Sequence, residues 1–229
     1  MGANKRILCI GDSLGLPRKD ESYIHTWYYK ISQFYKEFEF IPRFMRAMTT
    51  ENLTSINPLD SLENFEPNIV ILQVGIVDCS PRLLPKDFFF TKLIGILPKY
   101  FSSPIWRVIK KITIRRVRFA DVSPFNFKKN LYDYFSRCNK LGIEKLVFIK
   151  ISKPGTNMII KNKHIVSQVE LYNNLIDKVS KQFAFVELIN ALEDGLDDYY
   201  ISDGYHLNKN GHNQIFLKIK EVLSDSKVL

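Results

Sequence analysis

The sequence predicts a single α/β domain in which helices cover both faces of a parallel five-stranded sheet. Short apolar runs alternate with longer stretches of helical periodicity from the beginning to the end of the chain. This alternation is typical of doubly wound folds. A length of 229 residues, of which 45% are apolar, supplies the core of one domain. We therefore expect one domain spanning residues 1–229, with one insertion.

The first half of the chain supplies three of the predicted strands. Residues 5–10 form a short apolar run that ends at a glycine, which is typical of a buried strand followed by a turn. Apolar residues at helical spacing predict a helix over residues 22–35, and residues 38–41 are a second strand. The third strand, residues 69–74, follows a Pro-Asn breaker.

The second half continues the alternation. Residues 127–141 have helical periodicity and stop at a glycine, which is a common helix C-cap. A strand over 145–151, a helix over 166–181, a strand over 183–188 and a final helix over 211–223 follow. In such sheets ligands bind beyond the carboxyl ends of the strands, so we expect the site in the loops that follow them.

The formal charge of +9 is concentrated in one segment. Residues 82–129 contain twelve basic and two acidic residues, together with nine large aromatic ones, so the rest of the chain is nearly neutral. We interpret this segment as an insertion after the third strand. It is a solvated face over a local core, an amphipathic element on an anionic membrane, or a nucleic-acid surface. Nucleic acid is the least favoured, because no zinc-finger spacing, RNA-binding signature or recognition-helix pattern accompanies the charge.

Cysteine content and hydropathy predict a cytoplasmic protein. The three cysteines are odd in number and far apart, which argues against a disulfide framework. The apolar run at residues 7–10 is too short for a signal peptide, and no apolar run is long enough to cross a membrane. Peripheral contact with the inner face of an anionic membrane, through residues 82–129, stays open.

A serine lies directly after the first predicted strand, in Gly11-Asp12-Ser13-Leu14-Gly15. The two glycines allow the backbone to bend sharply and to approach a substrate. Ser13 is therefore a candidate nucleophile. A serine in this place is equally compatible with a cap of the following helix.

Asp203 and His206 precede the final predicted helix. A carboxylate three residues before an imidazole allows one loop to present both side chains on the same side. Such a carboxylate can orient the imidazole as it accepts a proton from a serine. We therefore interpret Ser13, His206 and Asp203 as a catalytic triad.

At these residues the chain resembles the SGNH/GDSL hydrolase family of serine esterases and acetylesterases. The first block of that family is Gly-Asp-Ser-Leu and its last is Asp-x-x-His-Leu, and both are present here in the expected order. The resemblance covers nearly the whole chain apart from residues 82–129. It implies a flavodoxin-like sandwich, with Ser13 as nucleophile and backbone oxyanion donor, His206 as general base and Asp203 as its orienting carboxylate.

The middle blocks depart from the family pattern. The third block, Gly-x-Asn-Asp, is present as Gly75-Ile76-Val77-Asp78, so a valine stands where the family has an oxyanion-donating asparagine. The second-block glycine corresponds to Ala47, which still offers its backbone N–H.

The resemblance thus gives an oxyanion or supporting role to Ala47, Gly75, Asp78 and Asp12. Loss of one oxyanion donor typically costs about 10²- to 10³-fold in rate. The candidates for a substitute donor are Arg46, Arg82 and Asn52.

Arg18 and Arg82 each follow a proline in the predicted motif loops. A guanidinium at the ligand edge of a sheet suits bidentate binding of a phosphate or a carboxylate. The candidate substrate-binding residues are Arg18, Arg46 and Arg82, and an anionic substrate is expected if they face the pocket. The alternative is that the loop arginines pair with Asp12, Asp20 or Asp78.

No cofactor and no metal are predicted. His206 and His212 lie near Asp203 but lack further ligands at a zinc spacing. The glycine patterns of phosphate-binding and dinucleotide-binding loops are absent. Cys79 has no histidine near it in sequence, so we interpret it as a packed thiol rather than a nucleophile.

These residues predict a serine esterase or deacylase that works through an acyl-Ser13 intermediate. The family resemblance includes carbohydrate esterases, so the expected substrate is an O-acyl group of a carbohydrate or of an intermediate in polysaccharide biosynthesis. Lipid or thioester substrates are the alternative within the same class. A carbohydrate O-acyltransferase on the same scaffold, or a catalytically degenerate glycan-binding module favoured by Val77, also stays open.

Overall fold

A single parallel sheet organises the molecule. The structure, a computed structural model, describes residues 5–19, 21–55, 62–81, 120–192 and 197–224. Within these residues the strands are β1 (Arg6–Gly11), β2 (Glu39–Phe44), β3 (Ile69–Gln73), β4 (Lys145–Ile149) and β5 (Val186–Ile189). All pairs are parallel, and the strand order is β2-β1-β3-β4-β5. The predicted fold class is confirmed.

Both faces of the sheet are buried. Successive side chains of a strand point to opposite faces. On β1, Ile7 and Cys9 contribute to the core on one face, whereas Leu8 and Ile10 contribute to the core on the other. The central strand β3 has the sequence Ile-Val-Ile-Leu-Gln and is buried along its whole length. A continuous apolar run, rather than an alternating one, is what a strand covered on both sides requires.

The described helices are α1 (Trp27–Phe34), α2 (Glu51–Thr54), α3 (Leu62–Phe65), α4 (Ile76–Cys79), α5 (Pro124–Lys140), α6 (Thr156–Lys161), α7 (Ile165–Ser180) and α8 (Lys209–Ser224). Helices α1 and α8 contribute buried residues to one core, and α5 and α7 contribute to the other. Among the described residues, no helix is both long enough and apolar enough to cross a membrane.

Helix α5 begins at Pro124, three residues before the predicted start. The Ser123 hydroxyl accepts a hydrogen bond from the N–H of Asn126 and so caps the helix. Pro124 is tolerated in the first turn because the N–H that it lacks would have no acceptor within the helix. Phe127 is fully buried in the core. Residues 124–129 therefore belong to the scaffold, whereas residues 82–119 of the basic segment lie outside the described residues.

The predicted helix over 22–35 is interrupted at Thr26. A 3₁₀ turn covers Tyr23–His25, and helix α1 begins only at Trp27. Thr26 has extended backbone angles, and its hydroxyl accepts a hydrogen bond from the N–H of Tyr29 at 3.3 Å. A capping residue of this kind starts a new helix, although the apolar spacing runs through it without a break.

The three cysteines form no disulfide, as predicted, and all three are buried. Burial raises the pKa of the Cys79 thiol well above its ordinary value, because a thiolate is disfavoured in an apolar core. Cys79 is therefore a packed thiol and not an activated nucleophile.

Candidate active site

Ser13 lies just beyond the carboxyl end of β1, in a 3₁₀ turn. Asp12 caps this turn, since its side chain accepts a hydrogen bond from the N–H of Leu14 at 2.8 Å. The N–H of Asp12 in turn donates to the carbonyl of Gln73 on β3 at 3.1 Å. Strand pairing and the cap together hold Ser13 at the ligand edge of the sheet.

Asp203 and His206 lie in the loop before α8, with their side chains in contact. One carboxylate oxygen of Asp203 accepts hydrogen bonds from the N–H groups of Tyr205, at 3.0 Å, and His206, at 2.9 Å. The other oxygen is 2.6 Å from His206 Nδ1. Local backbone bonds therefore orient the carboxylate, and the carboxylate orients the imidazole.

The third contact joins the two ends of the chain. Ser13 Oγ is 3.1 Å from His206 Nε2, although the two residues are 193 positions apart in sequence. With its proton on Nδ1, towards Asp203, the imidazole presents the lone pair of Nε2 to the serine hydroxyl. This is the arrangement in which a histidine can accept a proton from serine as that serine attacks a carbonyl carbon.

The surroundings of the pair shift both pKa values downward. Burial lowers the pKa of His206, contact with Asp203 raises it, and the charges of Arg18 and Arg46 lower it further, so that the result is below the ordinary value. Burial raises the pKa of Asp203, but hydrogen bonds from His206 and from the backbone outweigh it and keep the pKa low. At neutral pH the site therefore contains a neutral imidazole beside a charged carboxylate.

Ala47 occupies a backbone conformation that favours glycine. Its φ is +57°, in the left-handed region that glycine adopts without strain. Within the described part of the chain, neither the N–H of Ala47 nor that of Ser13 has a hydrogen-bond partner. Both are thus available to an oxyanion, whereas Val77 lines the same cavity without offering a side-chain donor.

The buried carboxyl groups of Asp12 and Asp78 lie behind the site, and the partners of Asp78 were not predicted from the sequence. Asp78 accepts hydrogen bonds from the N–H and the hydroxyl of Thr50, at 2.8 and 2.6 Å, and the Asn130 amide donates to that hydroxyl at 3.2 Å. Burial raises the pKa of Asp78 to about 6 and that of Asp12 to about 7. The third-block loop is therefore tied to α5, and nothing in the sequence near Thr50 or Asn130 indicated this.

A cavity of about 360 Å³ opens beside Ser13 and His206. Arg18, Arg46 and Ala47 line it, whereas Arg82 lies outside the described residues. One Arg18 nitrogen, Nη2, donates to the carbonyl of Ser13 at 3.3 Å. Arg18 forms no ion pair with Asp12 or Asp78, although its charge lowers the pKa of Asp12 against the larger effect of burial. Asp20 lies outside the described residues.

Of the expected substitute donors, Arg46 is at the cavity and Asn52 is not. The side-chain oxygen of Asn52 accepts a hydrogen bond from the N–H of Thr49 at 2.9 Å, so this side chain is bonded within its own segment.

Sequence reasoning did not identify several cavity residues. The Tyr205 ring lies 4.0 Å from the His206 ring, centroid to centroid, and Ile76, Ser80 and Met158 complete the wall. Tyr205 occupies a variable position inside the last block, and Met158 lies on a short helix without any motif. Only the packing of the loops brings them to Ser13.

His212 has a structural role. Its Nδ1 accepts a hydrogen bond from the N–H of Trp27 at 3.3 Å, and burial lowers its pKa to about 4. Among the described residues, no group of three or more histidine, cysteine, aspartate or glutamate side chains could hold a metal ion.

Neither a protein-family model nor a curated protein sequence matches the chain. Solved structures do match, over nearly its whole length. The esterase EstA from Pseudoalteromonas sp., described as inhibited by monoethylphosphonate, is 16% identical, with 96% of this chain and 100% of that one covered at a TM-score of 0.60. A lipase/acylhydrolase from Enterococcus faecalis is 15% identical, with 96% and 95% covered at a TM-score of 0.63.

A catalytic mutant of an acetylxylan esterase from Geobacillus stearothermophilus is 10% identical, with 96% of this chain and 94% of that one covered at a TM-score of 0.62. Two further similar structures are described as GDSL-like lipases. At identities of 10 to 16% these likenesses show the fold alone. The chain therefore has the fold of the GDSL-type esterases and lipases, as its resemblance to the SGNH/GDSL hydrolases implies.

Proposed function

We propose that this chain is a serine ester hydrolase. The observation that carries the proposal is the hydrogen-bonded series from Ser13 through His206 to Asp203, with distances of 3.1 and 2.6 Å. The series lies at the carboxyl edge of the sheet, where a cavity of about 360 Å³ gives a substrate access to Ser13.

The geometry supports a two-step reaction. The Ser13 hydroxyl gives its proton to His206 Nε2 as its oxygen attacks the ester carbonyl carbon, and the N–H groups of Ser13 and Ala47 bind the oxyanion. The bond to the alcohol then breaks, and His206 returns the proton to the leaving oxygen. Water then gives a proton to His206 as its oxygen attacks the acyl-serine. His206 passes that proton to Ser13 Oγ as the bond to the acyl group breaks, which releases the acid and restores the Ser13 hydroxyl.

For the substrate we propose an O-acyl group on a carbohydrate or on an intermediate in polysaccharide biosynthesis. The acetylxylan esterase among the proteins of similar fold supports this choice. The cavity supports it too, since arginine, serine and backbone groups line it together with apolar side chains, a mixture suited to a polar alcohol and a short acyl chain.

A fluorophosphonate probe tests the nucleophile. A phosphonate traps an activated serine covalently, so the wild-type protein is expected to label and Ser13→Ala is not. Ser80→Ala is the matched control, because Ser80 lines the same cavity but has no histidine partner among the described residues. No labelling of folded wild-type protein, or equal labelling of Ser13→Ala, would refute the proposal.

One observation favours a second function, a glycan-binding module that has lost its activity. Val77 removes a donor from the oxyanion site, and loss of one donor typically costs about 10²- to 10³-fold in rate.

The hydrolase proposal requires release of nitrophenol from 4-nitrophenyl acetate that disappears in Ser13→Ala. An O-acyltransferase would instead release nitrophenol faster when a carbohydrate acceptor is added, and would give an acylated sugar.

A further inference from the structure

We infer that Arg18 and Arg46 bind a negatively charged group, a carboxylate or a phosphate, on the alcohol part of the ester. The inference rests on the proposed ester hydrolysis and names the substrate class that the cavity selects.

Both guanidinium groups are available at the cavity. Arg18 and Arg46 line it together with Ser13 and His206, and within the described residues no aspartate or glutamate lines it. Neither arginine forms an ion pair with a described carboxylate. The charge of Arg18 does act on the buried Asp12, which does not line the cavity. Two guanidinium groups that form no ion pair with a described carboxylate suit a carboxylate or a phosphate, because the planar fork matches the oxygens of both.

Arg18 is held in place rather than free to swing away. Its Nη2 donates to the carbonyl of Ser13 at 3.3 Å, and its Nε is buried without a hydrogen-bond partner. Arg46 is exposed in the turn after β2, and within the described residues its side chain makes no hydrogen bond. Both guanidinium groups therefore keep N–H donors beside Ser13 that bond to no described residue.

Strand order separates the basic part of the cavity from the apolar part. Arg46 follows β2 and Arg18 follows β1, whereas Val77 follows β3 and Met158 follows β4. Because the order is β2-β1-β3-β4, the arginines come from the strands on one side and the apolar residues from the strands on the other. Ser13, after β1, lies between them. An uncharged acyl group therefore suits the apolar side, and the charged part of the alcohol suits the arginines.

The charges of both arginines also reach the reacting imidazole. Each contributes to lowering the pKa of His206, and each lines the cavity that contains His206 and Ser13. An anion bound between them would offset this effect during the reaction.

Kinetics on matched esters test the inference. The substrates are 4-acetoxybenzoate, its neutral isostere 4-acetoxybenzamide, 4-acetoxyphenyl phosphate, and 4-nitrophenyl hemiglutarate, which carries its charge on the acyl side. Wild-type protein is expected to prefer the two esters with a charged alcohol. A hydrogen bond to a charged group is worth enough that Arg46→Ala should lower kcat/KM on them about 10- to 100-fold, and on the neutral ester less than about 3-fold.

Arg46 is the position to change, because Arg18 also holds the carbonyl of the nucleophile. Arg43→Ala is the matched control: it removes the same charge three residues earlier, from a side chain that lies over the Phe65 ring at 4.3 Å and does not line the cavity. Equal losses on charged and neutral esters in Arg46→Ala, or equal effects of the two variants, would overturn the inference. A higher kcat/KM on the hemiglutarate would overturn the placement of the anion on the alcohol side. The ratio of kcat/KM on 4-acetoxybenzoate to that on 4-acetoxyphenyl phosphate shows whether the site favours a carboxylate or a phosphate.

A binding experiment distinguishes a protein without esterase activity from one without an anion site at Arg18 and Arg46. If no ester is turned over and Ser13 is not labelled, phenyl phosphate and benzoate are titrated calorimetrically into Ser13→Ala protein and into the Ser13→Ala, Arg46→Ala double variant. Binding that weakens at least tenfold in the double variant supports the anion site even without turnover. Absent binding, or the same affinity in both proteins, refutes it.

Discussion

Burial and three charged neighbours set the pKa of His206. Burial lowers its pKa, the Asp203 carboxylate raises it, and Arg18 and Arg46 lower it, with a net shift below the ordinary value. A lowered pKa keeps the imidazole neutral, and so able to accept a proton, at pH values where an unperturbed histidine is already protonated. The same arginines that suit an anionic substrate therefore also extend the working range of the base.

The acid limb of kcat/KM is a test of this arrangement. With 4-nitrophenyl acetate as a neutral substrate, activity should rise with pH through the pKa of His206, and the midpoint should lie below the ordinary 6.5. Because Arg46 contributes to the lowering, Arg46→Ala should move the midpoint to higher pH and Arg43→Ala should not. A midpoint above 6.5, or one unmoved by Arg46→Ala, would contradict the role given to these charges.

Val77 is the residue at which the proposed oxyanion site differs from the pattern of the SGNH/GDSL family, which the chain resembles. Asparagine at this position would add a side-chain donor to the two backbone N–H groups, and one such donor is typically worth about 10²- to 10³-fold in rate. Val77→Asn is therefore expected to raise kcat on 4-nitrophenyl acetate about tenfold or more. Val77→Leu, which changes the shape without adding a donor, is the control, and equal rates for the two variants would show that the oxyanion is bound in another way.

At the scale of elements, contacts with the segment around α6 hold the loop that carries Asp203 and His206. The N–H of Gly155 donates to the carbonyl of Gly204 at 2.7 Å, and the Asn157 amide donates to the carbonyl of Ser202 at 3.1 Å. Gly204 has a φ of +84°, and a Cβ there would lie 2.6 Å from the N of Met158. The loop after β4 thus positions the base, although it contributes no group to the proposed proton transfer.

Gly142 and Gly204 both have left-handed backbone angles, so replacing each with alanine distinguishes the cost of backbone strain from the cost of a steric clash. Gly142 has a φ of +72° with open space where a Cβ would lie, whereas Gly204 has little room. Gly142→Ala should cost about 1 kcal/mol of unfolding free energy, from backbone strain, and leave kcat unchanged. Gly204→Ala should cost more and lower kcat at least tenfold, because the loop must move away from Met158. Denaturant unfolding and esterase assays compare them, and equal effects would refute the packing argument.

At the scale of the whole molecule, the charge is distributed unevenly. Residues 82–129 carry a net charge of about +10 and the remainder is nearly neutral. Attachment to an anionic membrane through this segment stays a prediction from sequence, since residues 82–119 lie outside the described residues. The parallel sheet and the proposed site are built from the nearly neutral remainder.

Liposome sedimentation tests that prediction. Binding should require anionic lipid and should weaken between low and physiological salt, because screening shortens the reach of surface charges. Replacing the six basic residues between Arg107 and Arg118 with glutamine should abolish it. Binding that is unchanged by these replacements, or equal on neutral vesicles, would rule out an electrostatic attachment, and esterase activity measured in parallel reports whether the scaffold is intact.

Local sequence patterns were enough to predict the strands, most of the helices and the candidate triad. Continuous apolar runs identified strands such as β3, because burial on both faces leaves no polar positions. The Ser13 and His206 blocks were recognisable because each is a short motif whose residues are neighbours along the chain. Helix starts were less accurate, as at Trp27 and Pro124, since a capping hydrogen bond rather than periodicity decides where a helix begins.

Which of these residues lie in contact depends on how remote parts of the chain pack together. The 3.1 Å contact between Ser13 and His206 closes a separation of 193 residues, and the link from Asp78 through Thr50 to Asn130 joins three parts of the chain. Arg18 and Arg46 lie at one cavity because β1 and β2 are neighbours in the sheet. Local patterns describe how each segment folds, whereas distances between remote side chains depend on how the sheet and the helices pack.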